Sequence, residues 1–587
     1  MSRRLPSKDV VIVGLGWTGS IMAYELAKTG LDVVAIERGP WRDTASDFNI
    51  GTAPDELRYA IRQDMFLRPK QESITMRNNL SQTALPIRKW GSFLPGNGVG
   101  GAGVHWNGQT WRFLPDDFRI RSHMTEKYGA AIMPENNLIQ DWPVSYADLE
   151  PHYDRFERVA GISGKAGNIN GKIIPGGNTW EGARSRDYPT PPLRQGYAQD
   201  LFTKAATDRG LHPFPRPSAN LSTAYTNTYG CRMGPCTYCG FCEWFGCANY
   251  SKASPQTCVL PVLVREKTFE ARTNCEVTKV NLATDGKTAT GVMYVDEQGQ
   301  EWEQPADLVL VCAFSLFNVR LLLLSGIGKP YDPNTGEGVV GKNYAYQTGT
   351  GSTAYFEDAK FNPFAAAGSL GVALDDFNSD NFDHGPLGFV GGASITCAYT
   401  NGRPISYHPT PPGTPTWGSA WKKAVKETYQ RVTSVGAQGS VMSYRGNYLD
   451  LDPTYKDPLG RPLMRMTFDY KDNERKMSGF MADRCDEIAK AMGAKQTVVK
   501  KLVGPWSVVP YQTTHNTGGA IMGSDPKTSV LNRYLQSWDV SNVFVMGASA
   551  FPQNAGYNPT GTVGALTYWA LDAIKTYLKA PGPLVQA

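Results

Sequence analysis

The sequence predicts an α/β fold that opens with a dinucleotide-binding unit, and three observations on residues 9–37 carry that reading. The run Val10-Val-Ile-Val13 reads as a buried, parallel-type strand. It leads into Gly14-Leu-Gly16-Trp-Thr-Gly19, the glycine spacing of a phosphate-binding turn. A helical stretch from Ser20 to Thr29 follows, with Gly30 placed to cap it, and Leu31-Asp-Val-Val-Ala-Ile-Glu37 reads as a second strand ending in an acid.

Each residue of the unit has a physical task. Gly14 makes the tight turn, Gly16 lets the backbone approach a pyrophosphate, and Gly19 lets helix and strand pack closely. The free N–H groups and partial positive charge of the helix N-terminus attract the phosphates. Glu37 is placed to accept hydrogen bonds from ribose hydroxyls, and Trp17, Thr18 and Arg38 are assigned to the same cofactor surface. The motif does not distinguish FAD from NAD.

At 587 residues the chain is too long for one compact core, so at least two domain-sized units are expected. Hydrophobic residues at 41% and charged residues at 19% place it among ordinary globular proteins rather than disordered ones. A net charge of +5 without a long basic run argues against nucleic acid as a partner. The stretch Met1–Lys8 is short and polar and offers no signal-peptide core. Leu308–Ile327 is apolar but interrupted by Asn318, Arg320 and Ser325, and reads as a strand followed by a helix. Taken alone, the chain reads as soluble and cytoplasmic unless a partner carries an export signal.

Three further blocks settle the cofactor. They are Gly96-Asn-Gly-Val-Gly100-Gly101-Ala-Gly103-Val-His105-Trp-Asn107-Gly108, Leu321-Leu-Leu-Leu-Ser-Gly326-Ile-Gly328, and the region from His515 to Ala573. In this order after the N-terminal fingerprint, they resemble the glucose–methanol–choline (GMC) oxidoreductases, FAD enzymes that oxidise alcohols. The resemblance implies a Rossmann-like FAD domain assembled from residues 1–141, 259–328 and 503–587, and a substrate domain on an antiparallel sheet, residues 329–502. Residues 142–258 are then an insertion ending in a cysteine-rich loop. The loop with Gly100, Gly101, Gly103, Asn107 and Gly108 would run beneath the flavin ring. His105 corresponds to a position that in some relatives is bonded to the flavin, so a covalent link and a non-covalent wall histidine both stand.

The C-terminal blocks Thr514-His515-Asn-Thr-Gly518-Gly519 and Val543-Phe-Val-Met-Gly547-Ala548 through Asn558-Pro-Thr560 carry the chemistry. By resemblance, His515 is the base facing the flavin and Asn558 its neighbour, with Gly547, Ala548 and Thr560 at the cofactor. A carbinol hydride leaves readily only as the hydroxyl proton is removed, and histidine titrates near the working pH. An amide N–H stabilises the negative charge that develops on the oxygen. Family members often have Asp where Gly547 stands, which leaves only backbone contacts to carry over there. His384 and His408, in loops punctuated by Gly or Pro, are assigned structural roles.

Of the ten cysteines, six lie between Cys231 and Cys258. The core is Cys236-x2-Cys239-x2-Cys242-x4-Cys247, in which short spacings let one loop wrap several thiolates around a metal centre. A zinc knuckle and disulfides are the competing readings. Residues 105–118 and this cluster resemble a branch of flavoprotein subunits from bacterial membrane-bound sugar-acid dehydrogenases. That resemblance implies a 3Fe–4S cluster on three cysteines: Cys236, Cys242 and Cys247 are preferred, with Cys239 in reserve or as a fourth ligand. It further implies oxidation of D-gluconate to 2-dehydro-D-gluconate and electron delivery to a multihaem cytochrome c subunit. A small subunit with a twin-arginine signal would carry the chain to the periplasmic face of the inner membrane. The alternatives are another polyol or sugar (2-ketogluconate, sorbitol, fructose or glucose), or an electron carrier without its own substrate.

Overall fold

A computed structural model describes residues 3–48, 65–68, 73–88, 93–400, 402–403, 405, 407–510 and 513–586. Met1 and Ser2, part of the N-terminal stretch read above, lie outside the described residues. The first sheet has eight strands. Lys8–Val13 pairs in parallel with Val33–Ile36 on one side and with the second half of Glu301–Val311 on the other. Phe269–Arg272 extends it in parallel beyond Val33–Ile36, and Val543–Val545 adds to Glu301–Val311. The first half of Glu301–Val311 turns antiparallel with Ala289–Val295, which pairs with Glu276–Leu282. Strands buried on both faces need to be apolar throughout, and Val10–Val13, Val33–Ile36 and Leu308–Val311 are.

The dinucleotide unit differs in detail from its sequence pattern. The helix is Trp17–Ala27, so it begins within the glycine turn rather than after it, and Gly16 is its N-cap. Its C-cap is Lys28, and Gly30, at φ +94°, turns the chain after it. The second strand spans only Val33–Ile36. Cys312 lies just beyond its strand, its N–H donating to the Val13 carbonyl at 2.8 Å. Gly19 is a packing requirement: a Cβ there would stand 2.0 Å from the Gly14 carbonyl oxygen.

The second large sheet has six antiparallel strands in the order Gln496–Lys500, Thr348–Tyr355, Val432–Gly439, Ala393–Ala398, Gly371–Leu374 and Phe214–Pro215. Its outer face is covered by the helix Asp472–Ala491. Met477, Met481, Cys485 and Ile488 of the helix's apolar stripe pack on Ile395, Cys397, Val435 and Ala437. Side chains alternate across a strand, so Ser394, Thr396, Ala398 and Gln438 point to the opposite, inner face. A smaller four-stranded sheet contains Tyr448–Lys456, Pro462–Thr467, Ile74–Arg77 and Leu85–Pro86.

The helix Tyr146–Ala160 is capped as its sequence requires. Ser145 Oγ accepts from the Asp148 N–H at 3.2 Å, and Gly161 closes the far end at φ +66°. Its buried Glu157 takes both guanidinium arms of Arg112 at 2.8 and 2.9 Å and a bond from Arg184 at 2.5 Å. Among the described residues no helix is long and apolar enough to cross a membrane.

Candidate active site

A cavity of about 490 Å³ runs from the glycine turn, past the 96–108 loop, to the inner face of the six-stranded sheet. Gly14, Gly16, Trp17, Thr18, Glu37, Arg38, Gly101, Gly103, His105, Asn107, Gly547, Ala548, Asn558 and Thr560 line it together with His515. Gly19, Gly100 and Gly108 are not on its wall. Gly100, at φ +93°, donates its N–H to the Leu15 carbonyl at 2.7 Å and so joins the two glycine loops behind the surface.

The nucleotide end fits a dinucleotide. The N-terminal turn of the helix Trp17–Ala27 faces the cavity and carries no acid that would repel phosphates. Both oxygens of Glu37 already accept backbone N–H groups, of Leu15 and of Gly39, each at 2.9 Å. The carboxylate thus braces the turn, and each oxygen retains a lone pair for a ribose hydroxyl. His105 is buried, and its Nε2 has no hydrogen-bond partner. Burial, with the Lys252 ammonium nearby, depresses its pKa to about 3, so a neutral ring nitrogen lies on this wall.

At the other end, Asn558 Nδ2 lies 3.0 Å from His515 Nε2. The bridge between Ala345 and Thr517 lays one chain segment beside the other and brings Gln347 to the far side of the imidazole. Gln347 Oε1 is 2.5 Å from His515 Nδ1. Its amide cannot turn round, because Gln347 Nε2 donates to the carbonyls of Ala555 and Tyr557 at 2.7 and 2.6 Å. Nδ1 therefore carries the imidazole proton, and Nε2 keeps its lone pair. On the opposite side Gln438 Nε2 donates to Asn558 Oδ1 at 3.2 Å, which turns Asn558 Nδ2 towards the histidine. Tyr557, stacked on Trp111 at 4.7 Å with its hydroxyl donating to Asp375, fixes the loop that presents Asn558. Burial lowers the His515 pKa to about 3, well below the working range expected from histidine chemistry alone. At neutral pH the ring therefore rests in its neutral form, with Nε2 ready to accept a proton, rather than at mid-titration.

All ten cysteines are free thiols. Cys236 accepts from the Tyr238 N–H at 3.4 Å, Cys242 from Asn220 Nδ2 at 3.4 Å, and Cys247 from the Lys252 N–H at 3.5 Å. Cys239 is the exposed one of the four. Burial pushes Cys236 up to about 11 and Cys242 higher still, so these sulfurs stay protonated unless a metal takes the proton's place. Among the described residues, the one group of three ligating side chains with all atoms within 4.8 Å is Asp116, His123 and Asp380. The loop sulfurs are thus more widely spread than a single-ion site requires. Asp380 is already occupied, by Lys127 Nζ at 2.8 Å and the Tyr128 hydroxyl at 2.9 Å.

The cysteine loop is tied to the flavin-side loop. Lys252, fully buried, donates its ammonium to the carbonyls of Trp106, Cys242 and Phe245 at 2.7–2.8 Å. The Trp244 N–H donates to the His105 carbonyl at 2.8 Å, and Glu243 and Trp244 join the cavity wall. Sequence reading assigned this loop to metal binding alone and missed Gln347, Gln438, Glu243 and Trp244.

A nucleotide cradle joined to a histidine–asparagine pair under an antiparallel sheet defines an FAD-dependent oxidoreductase of the GMC class. Residues 219–348 and 443–567 match the GMC oxidoreductase family, and residues 9–118 match the FAD dependent oxidoreductase family. The chain belongs to the GMC oxidoreductases. It is 53% identical to the gluconate 2-dehydrogenase flavoprotein of Pantoea cypripedii, covering 100% of this chain and 97% of the relative. It is 27% identical to the fructose dehydrogenase large subunit of Gluconobacter japonicus, over 99% of this chain and 100% of the relative. The solved structure of pyridoxine 4-oxidase from Mesorbium loti shares the fold at TM-score 0.56 and 16% identity, covering 97% of this chain and 99% of that one.

Proposed function

We propose that the chain is the flavoprotein of a dehydrogenase that oxidises D-gluconate at its C2 hydroxyl to 2-dehydro-D-gluconate. The observation that carries it is the pair His515 Nε2 and Asn558 Nδ2, 3.0 Å apart and facing the same cavity as the nucleotide cradle. The likeness to the Pantoea cypripedii protein supplies the substrate. His515, with its lone pair at Nε2, takes the hydroxyl proton, while the Asn558 amide donates to the oxygen as charge develops on it. FAD held by Gly14–Thr18, Glu37 and the 96–108 loop supplies the acceptor for the carbinol hydride. His105 offers a neutral nitrogen at the cavity wall, the form that a covalent link to the cofactor requires.

Cys236, Cys242 and Cys247, with Cys239 beside them, are proposed to hold an iron–sulfur cluster. Support comes from the N–H donors on three of these sulfurs and from the clamp between their loop and the flavin-side loop. The cluster supplies a one-electron outlet towards a partner subunit, for which a multihaem cytochrome c at the periplasmic membrane face is the proposal, with a small twin-arginine-signal subunit for export.

The test is anaerobic titration of the purified protein with D-gluconate while the oxidised-flavin absorbance is followed, together with iron and sulfide analysis. Bleaching by gluconate that is lost in His515→Ala, with iron present, is the expected result. Bleaching by another polyol alone would replace the substrate. No bleaching by any sugar or sugar acid would remove the dehydrogenase reading.

A further inference from the structure

Two side-chain amides on the cavity wall are held in one orientation and keep a polar atom that no protein group uses. Gln109 Oε1 accepts the indole N–H of Trp111 at 3.3 Å. An indole nitrogen only donates, so the Gln109 amide cannot turn round, and its Nε2 points away from that ring. Gln438 is fixed from the other direction. Asn558 Nδ2 is held at His515 Nε2, so Asn558 presents Oδ1 to Gln438, whose Nε2 donates to it at 3.2 Å. Among the described residues, neither hydrogen of Gln109 Nε2 has an acceptor and Gln438 Oε1 has no donor. Both residues line the cavity.

Both are also anchored to the loop that presents Asn558. Trp111 stacks on Tyr557 with ring centroids 4.7 Å apart. Its carbonyl packs against Gly561, where a Cβ would stand 2.0 Å from the oxygen. The backbone of Gln109 is pinned by a bridge to Ser218 and by its N–H, which donates to Asn107 Oδ1 at 3.2 Å. Gln438 stands on the inner face of its strand, Val432–Gly439, and touches Asn558 directly. One donor and one acceptor are thus set beside the pair, His515 Nε2 and Asn558 Nδ2, that receives the carbinol oxygen.

A hydroxyl group uses both atoms, accepting from the amide N–H and donating to the amide oxygen. A carboxylate only accepts, and would meet Gln438 Oε1 without a hydrogen to share. An alkyl group would displace water from both atoms and leave them unpaired.

We propose that Gln109 binds the hydroxyl on the carbon next to the reacting carbinol, with Gln438 Oε1 accepting from that hydroxyl, and so selects a polyhydroxylated chain over a simple alcohol. This rests on the dehydrogenase reading above. The test follows anaerobic flavin reduction and compares kcat/KM for D-gluconate and for 3-deoxy-D-gluconate in the wild type and in Gln109→Met. The deoxy compound keeps the carboxylate and the C2 carbinol and lacks the adjacent hydroxyl. The wild type is expected to prefer gluconate by about 10–10²-fold. Gln109→Met should lower that preference by about tenfold. A Gln109 that only braces Trp111 would slow both substrates alike and leave the ratio where it was. The ratio is internal to each preparation, so a partly unfolded variant still gives a result, and the wild type alone decides whether the adjacent hydroxyl is bound. Equal use of the two compounds by the wild type, or the full preference retained in Gln109→Met, would overturn the assignment while the dehydrogenase reading stands. Flavin reduced by neither compound would instead count against that reading.

Discussion

Gln347 Oε1 lies 2.5 Å from His515 Nδ1, and the Gln347 amide nitrogen is committed to two backbone carbonyls. The Thr513 hydroxyl meets the same nitrogen, and the carboxamide, contributed from a different chain segment, keeps the proton on Nδ1 and leaves Nε2 free. Gln347→Met removes that acceptor and should lower kcat about tenfold, the worth of one hydrogen bond of ~1.4 kcal/mol. Gln347→Glu places a carboxylate against Nδ1 and favours the imidazolium. Its pH–rate profile should therefore show an acid limb at higher pH than the wild type, while kcat on the alkaline plateau recovers.

His515→Ala should slow flavin reduction by about 10²–10⁴-fold if proton removal is the main contribution lost. Asn558→Ala should cost about 10²–10³-fold through loss of the donor to the developing oxyanion. The two residues touch, so the double variant should be far less impaired than the product of the single effects. Single-turnover reduction by stopped flow measures all three.

Burial lowers the pKa values of His515 and His105 to about 3 each, whereas a histidine in the unfolded chain protonates near ~6.5. Between those values the unfolded chain binds more protons than the folded one, so stability falls as pH falls. Unfolding temperature should thus drop steadily between about pH 6.5 and pH 3, and His105→Gln should flatten part of that slope. The His515 lone pair persists across the same window, so no acid limb from this residue should stand near pH 6.5 in the wild type.

Lys252→Met removes a charged donor from the carbonyls of Trp106, Cys242 and Phe245, each bond lost costing about 1.5–3 kcal/mol. Thermal unfolding should move down by several degrees. Flavin and iron content should fall together, because the Trp106 and Cys242 loops are released at once.

Glu157→Gln removes the shared counter-charge of Arg112 and Arg184 inside the protein. The expected destabilisation is about 3–5 kcal/mol, read from denaturant unfolding. The site geometry lies on other elements, so kcat of the folded fraction should be unchanged.

Elements coded by contiguous residues were legible in the sequence. The glycine turn, the Ser145 cap and the Met477–Ile488 stripe each follow from spacing, and the C-terminal blocks pointed to His515 and Asn558. Gln347 was not legible, because its function depends on a bridge between Ala345 and Thr517 that no local pattern announces. The depressed pKa of His515 depends on how much protein surrounds it, which a motif does not encode.

Val311 has Val13 as its parallel partner on one side and Val545 on the other. More than 500 residues of chain separate those two neighbours. A ribosome adding roughly 5–20 residues per second leaves the floor of the nucleotide site unfinished for about half a minute to two minutes. Through that interval the nascent chain exposes an apolar strand edge next to a glycine turn. His515 emerges only near its end, so the catalytic base reaches its place when the sheet that supports it is almost closed. Holding that edge apart from other chains is a task for the cell rather than for the fold.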